Sequence, residues 1–500
     1  MSPFCPSPDY DLYYVPWDYW SDLTRRAGTP HISDEQAKRL TRETQIPYDR
    51  TALPADHVAV LDLYWDRIGP EFPGHKLTFA MIDRLAEHIM RCNPDLLMAL
   101  RKTYPYVFLD EFQDTTIAQY DTVKTCFLRA DTCVTAVGDD KQRIMGWAGA
   151  IPNAFGTFTP DFSAQRFALT ANWRSHAALV DVQHAVALTL DPRSAPPNSQ
   201  AHCTVTGPAA EIWTLAGPRE EASKIASWIG TEIQSGRCSP SDFAILVRMK
   251  ADVAERMLAP YFDAQGISLR NLARNVGKIS VEDIMTEEMT KAIMPFVRLG
   301  VRRRSPNDWS AANNILHRVM GDTEDEKRGS EKVSKQLDKL LFDIRTIVGA
   351  KGPNKDSIKS LLELIVKSIG APAFKTLHPT YRKNSGLKRA WVGMRDWLTE
   401  CAEKNDTWSD LIDDFDGTKH VKLLTIHKCK GMEFHTVFCL GLDSRWRNLE
   451  RLDAEEVRAF YVALSRAKQR VTFTASLRHG GPSVAIQNIV RAQGMAVLEV

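Results

Sequence analysis

The sequence predicts an α/β protein with two open parallel-sheet domains and helical insertions, on three observations. Two short apolar runs, Tyr106–Leu109 and Cys133–Val137, end in Asp110-Glu111 and Gly138-Asp139, and Ile117, Tyr120, Val123 and Phe127 mark a helix between them. Strand, helix, strand with acids at both carboxyl ends describes a parallel sheet whose ligand crevice lies at those ends. A second series starts near residue 211 and resumes after 420, and the stretch between them, 275–400, is rich in helical periodicity.

From the start, Tyr10, Tyr13, Tyr14, Trp17, Tyr19 and Trp20 crowd between prolines and need a surface to pack on. Packing on a neighbouring domain is the expected role, with base stacking as the alternative. Residues 31–103 repeat helically, as in Phe79, Ile82, Leu85 and Ile89. In the second series, strands are expected at 211–215, 243–247, 421–426 and 437–440, and helices at 219–235 and 251–263. Glu324–Arg328 and Lys351–Lys355 read as exposed loops.

Composition narrows the class. Hydrophobic residues at 44%, charged residues at 25%, 27 Gly and 26 Pro exclude collagen, coiled coil and wholesale disorder. A net charge of +2 neither requires nor forbids a polyanionic partner, so any basic surface must be local. Nine scattered cysteines without a Cys-x-x-Cys pair read as reduced thiols of a cytoplasmic protein. No apolar stretch is long enough for a membrane span, and the start carries no secretion signal, so no membrane partner is expected.

Five strings in fixed order carry the chemistry: Val107–Asp114 with its Asp-Glu pair, Gly138–Ala150, Leu169–Ser175, Thr425–Phe434 and Phe460–Lys468. On these strings the chain resembles the superfamily 1 DNA helicases of the UvrD/Rep/PcrA type over roughly residues 77–476. The resemblance implies two RecA-like domains of the P-loop NTPase type that sandwich ATP and Mg2+ and move 3′→5′ along single-stranded or partly duplex DNA. It divides the chain into a helical remnant of the first domain's insertion (1–103), the second part of that domain (104–200), the first part of the second domain (201–274), a helical insertion (275–400) and the rest of the second domain (401–500).

Residue by residue, the resemblance makes Asp110 the magnesium ligand, Glu111 the general base and Gln142 the γ-phosphate contact. Arg174 and Arg466 neutralise charge on that phosphate, which suits a planar, permanently charged guanidinium. Trp173 lies where an aromatic covers adenine, and Glu433 where an acid reaches the nucleotide. Trp147 matches the base-stacking aromatic, and Thr425 and His427 match contacts to the DNA backbone. Arg302-Arg-Arg304 offers duplex phosphate contacts, with a solvated face as the alternative.

The sequence departs from the family in three places. No Gly-x-x-x-x-Gly-Lys-Ser/Thr phosphate loop occurs, and the sole Gly-Lys pair, Gly277-Lys278, lies in the wrong domain. Met145 and Ala148 replace the aromatic and arginine that flank the string around Trp147. Three explanations stand for the missing loop: an N-terminally incomplete enzyme, a partner polypeptide that supplies the loop, or a catalytically inactive helicase-like DNA- or protein-binding subunit. The form Lys141–Ala150 looks more like the helicase-like subunit of Gabija-type phage-defence systems than like DNA repair enzymes, which implies a nuclease partner.

Overall fold

The computed structural model describes all residues except 1–10, 13–14, 17, 67–75, 303, 321–325, 378–380, 382–383, 447–448, 492–495 and 500. The chain divides into two compact units, Met1–Leu169 and Thr170–Val500.

The first unit opens with helices α1 (Tyr19–Arg26), α2 (Asp34–Glu43), α3 (Ala55–Trp65), α4 (Phe79–Cys92) and α5 (Pro94–Thr103). Ser33 and Gln36 close a capping box at the start of α2, and the Thr78 hydroxyl accepts from Met81 N at the start of α4. Tyr19 and Trp20 are buried against Tyr64 and Trp65, so this part of the aromatic cluster packs the helical core. Tyr10, Tyr13, Tyr14 and Trp17 lie outside the described residues.

Strand β1 (Tyr106–Leu109) pairs in parallel with β2 (Cys133–Ala136), and α6 (Ile117–Phe127) crosses between them as the sequence predicts. Helix α7 (Ala154–Asp161) packs Phe158 on Phe112 and Tyr120 beneath one face. The other face leaves Tyr106 and Phe108 largely exposed, although parallel sheets ordinarily bury both sides.

The second unit contains one seven-stranded parallel sheet. Its strands are β5 (Ala210–Leu215), β6 (Phe243–Val247), β7 (Ser268–Asn271), β8 (His420–Thr425), β9 (Phe434–Cys439), β10 (Ala467–Ser476) and β11 (Ala496–Glu499). The order across the sheet is β11-β5-β10-β9-β6-β8-β7. Every residue of β6 is buried, as its unbroken apolar run requires of a strand covered on both faces. The helices α9 (Pro218–Gln234) and α10 (Ala251–Ala264) fall within a residue of their expected ends.

Before this sheet, β3 (Ala171–His176) pairs in parallel with β4 (Asn198–Ala201), and α8 (Ala177–Leu190) joins them. Ser175 Oγ donates to Ala467 O at 2.6 Å, and His176 Nε2 lies 2.8 Å from Gln469 O. These bonds tie β3 to β10, and residues 170–200 fall in the second compact unit, whereas the resemblance places 104–200 together in the first domain.

The helical insertion runs from α11 (Val281–Thr286) through α12 (Glu288–Val301), α13 (Pro306–Met320), α14 (Glu326–Ala350), α15 (Lys355–Ile369) and α16 (Ala371–Leu377) to α17 (Asn384–Ala402). Helix α18 (Trp408–Asp416) then leads into β8. Glu326–Arg328, expected in a loop, starts α14, while Glu324 and Asp325 lie outside the described residues. Gly277-Lys278 is the turn of a hairpin between Asn275–Val276 and Ile279–Ser280, with Gly277 at φ +60°. Arg302, partly exposed, pairs with Asp413 and Asp416, and Arg304 is exposed, in keeping with a solvated face; Arg303 lies outside the described residues.

Burial lowers the pKa of His420 and of His435; at His420 the hydrogen bond to Asp414, 2.9 Å away, opposes the shift. Below the ordinary histidine value near 6.5, the unfolded chain takes up protons that these folded sites refuse. Stability therefore rises with pH through that window and is lost on acidification. Melting temperature is expected to fall between about pH 7 and about pH 5, and His435→Gln to flatten the fall. A profile indifferent to that substitution would remove His435 from the account.

Candidate nucleotide and nucleic-acid sites

In the first unit, the carboxyl end of β1 delivers Asp110 and Glu111 into a turn, and Glu111 takes the left-handed conformation at φ 50°. A non-glycine residue in that region is strained and persists only where its surroundings hold it. Here the fully buried Gln113 does so, because its amide donates to the Glu111 carboxylate while its carbonyl accepts from Asp139 N at 2.9 Å. Phe112 N donates to Val137 O at 2.9 Å, which joins the ends of β1 and β2. Gly138 is required at this junction, since a Cβ there would stand 2.0 Å from Gln113 Oε1. Sequence reasoning missed Gln113; the available signal was a polar residue two places past an acid pair.

Asp110 is exposed, and its Oδ1 accepts from Glu111 N at 2.9 Å. Magnesium on a nucleotide is commonly held by one or two carboxylates besides phosphates and water, so a single free-standing aspartate fits such an ion. Among the described residues, no group of three metal-binding side chains occurs. Gln142 lies in the turn after β2, with its N donating to Asp139 O at 2.8 Å and its Nε2 to Asp139 Oδ2 at 3.2 Å. Five residues on, Trp147 is 64% exposed, which removes core packing as its role.

In the second unit, Trp173 on β3 is likewise 77% exposed. Its neighbour Arg174 donates from Nε to Glu433 Oε2 at 2.9 Å and from Nη1 to Ser465 O at 3.2 Å. Lys468 Nζ stands 2.6 Å from the other Glu433 oxygen, and Lys468 and then Arg174 hold that carboxyl below its ordinary pKa. Arg466 is buried, donating from Nε to Val462 O at 3.2 Å and from Nη1 to Met432 O at 3.4 Å. Arg174, Glu433 and Arg466 thus form one neighbourhood, although they are hundreds of residues apart in sequence.

Because all strands run parallel, Thr425 at the end of β8 and Glu433 just before β9 fall at opposite ends of the sheet. His427 follows Thr425, and its Nδ1 lies 3.4 Å from Arg248 Nη1, which pairs with Glu456 at 3.1 Å. The segment between returns beneath buried Cys429, whose thiol burial pushes up to about 12. It ends where Phe434 N donates to Arg466 O at 2.9 Å. The structure therefore groups Arg174, Glu433 and Arg466 and keeps Thr425 and His427 away from them, joined by one short covalent segment.

Comparison with known proteins gives the family likeness of the two ends of the chain. Residues 31–163 match the UvrD/REP helicase N-terminal domain, and residues 392–478 match the UvrD-like helicase C-terminal domain. The chain is 28% identical over 432 residues to the putative ATP-dependent DNA helicase YjcD of Bacillus subtilis, covering 78% of this chain and 54% of that protein. It is 23% identical over 432 residues to ATP-dependent DNA helicase Rep of Buchnera aphidicola (77% and 65%), and 26% over 449 residues to DNA helicase II of Escherichia coli (79% and 59%). The chain spans between about half and two thirds of the length of these relatives. Among the described residues, no helix is long and apolar enough to cross a membrane. By its two matched domains and these relatives, the chain is UvrD/Rep/PcrA-like, similar at both domains to the superfamily 1 helicases.

Proposed function

We propose that this chain is the nucleotide- and DNA-handling part of a cytoplasmic ATP-dependent helicase or translocase that moves 3′→5′ on single-stranded or partly duplex DNA. The observation that carries the reading is the acid pair at the end of β1, with Glu111 held in a strained conformation by buried Gln113 beside exposed Asp110. Strain maintained by a dedicated partner is common at catalytic positions. In this reading Asp110 holds Mg2+ on the phosphates of ATP, and Glu111 takes a proton from the attacking water. Gln142 contacts the γ-phosphate, and Arg174 and Arg466 neutralise charge that develops on it. Trp173 covers adenine and Glu433 orients Arg174.

On the DNA side, Trp147 stacks a base, and Thr425 and His427 meet the backbone. The 425–433 segment, which ends on Arg466, supplies a physical link by which a change at the nucleotide reaches the strand.

A second reading, a catalytically silent DNA- or protein-binding subunit of a phage-defence complex, is favoured by one observation. These 500 residues contain no glycine-rich phosphate loop. A nuclease or a loop-supplying protein is then the expected partner, and its absence from material purified with the chain would count against that reading. Chain 1–500 by itself is expected to bind single-stranded DNA in preference to duplex and to hydrolyse ATP at background rate. Robust DNA-stimulated hydrolysis abolished by Glu111→Gln would overturn the second expectation, and a failure to bind single strands would overturn the function.

A further inference from the structure

Trp147 protrudes from a tight turn, Gly146–Ala148, in which Gly149 N donates to Gly146 O at 2.9 Å. Two arginines flank this turn. Arg42, in the last turn of α2, reaches across so that its Nη1 lies 3.5 Å from Trp147 O. Its side chain lies over Gly149, where a Cβ would meet Nη1 at 3.1 Å and Cδ at 3.3 Å. On the other side, a Cβ on Gly146 would stand 3.4 Å from Arg143 Nη1.

Neither guanidinium has an acid partner among the described residues, and the buried Nε of Arg143 has no hydrogen-bond partner there. A guanidinium offers five donors in a planar fork, and Arg42 spends one of them on a long bond. An exposed indole between two cations without counter-charges is complementary to one nucleotide unit of a single strand, with the base on the ring and phosphate on the fork.

We infer that Arg42 is the phosphate-binding residue of the Trp147 surface and fills the role left by Ala148, a reading that rests on Trp147 being the DNA-stacking residue. The residue comes from a helix more than a hundred positions upstream, so the turn itself carries no trace of it. Arg84 fixes the donor's position, because its Nε donates to Arg42 O at 2.7 Å.

The test is fluorescence anisotropy of labelled oligothymidylate with chain 1–500 over a range of salt concentrations, comparing the parent, Arg42→Gln, Arg42→Lys and Trp147→Ala. Loss of one phosphate contact makes the slope of log K against log salt shallower by about 0.7, so Arg42→Gln should show that change with weaker binding. Arg42→Lys should restore the slope, which separates lost charge from lost packing. Trp147→Ala should weaken binding roughly 5- to 150-fold and leave the slope unchanged. If Arg42→Gln leaves the slope intact while Trp147→Ala weakens binding, the assignment of Arg42 fails and the DNA surface stands. If Trp147→Ala binds like the parent, the surface itself is misread.

Discussion

Asp121→Ala should melt roughly 10 °C or more below the parent chain, because it strands a buried guanidinium. Arg84 on α4 is fully buried, and its Nη1 donates to Asp121 Oδ2 of α6 at 2.7 Å. Its Nη2 has no hydrogen-bond partner among the described residues, so the pair is already incompletely satisfied. Removing one member of a buried pair costs about 3–5 kcal/mol, since the remaining charge loses compensation while staying out of water. The Lys124 bond to the same carboxylate, 3.3 Å long and partly exposed, adds little. Because Arg84 also fixes the backbone of Arg42, the substitution should weaken single-strand binding in material that remains folded. A thermal scan showing a shift below about 2 °C would mean that Arg84 finds water or another acceptor on losing Asp121.

Asp414→Ala should destabilise the second unit by about 3 kcal/mol, the lower end of the same range. Arg270 on β7 is buried, lies 5.0 Å from the Trp397 ring centroid and donates to Phe415 O at 3.1 Å. Burial lowers its pKa against the opposing pull of Asp414, so the aspartate is what keeps the charge tolerable there. A cavity of about 260 Å³ lined by Arg270, Arg274, Trp397, Glu400 and His420 adjoins the pair and gives water a route to the stranded cation. That route is why the smaller value is expected here. Asp414→Asn, which keeps an acceptor without the charge, should fall between parent and alanine in a denaturant titration. Equal stability of all three proteins would show that the pair contributes nothing net.

The arginines that matter most for stability were the least legible in sequence. Phe79, Ile82, Leu85 and Ile89 mark α4 correctly as a helix, yet Phe79, Ile82 and Ile89 stand exposed. Leu85 is buried with Met81, Arg84 and Glu87. Hydrophobic periodicity registers the side chains that prefer the core. It does not register a charge whose partner arrives from another helix, as Asp121 does for Arg84 and Thr125 for Glu87. The strands β3, β4, β7, β10 and β11 were likewise not expected from the sequence; in β3 and β10, polar residues such as Ser175 and Gln469 are satisfied by neighbours distant in the chain.

By itself, the sequence determined the α/β class, the helix between two acid-ended strands, the helical insertion and the likeness to UvrD-like helicase domains, since strand-end acids and the five ordered strings are local signals. The tertiary structure decided the rest. It grouped Arg174 with Glu433 and Arg466 by laying β3 against β10, and it set Thr425 at the opposite end of the sheet because every strand runs the same way. It also put Arg42 beside Trp147 and Gln113 beneath Glu111. Each of these depends on where the backbone carries a side chain through space, and spacing along the chain does not encode that.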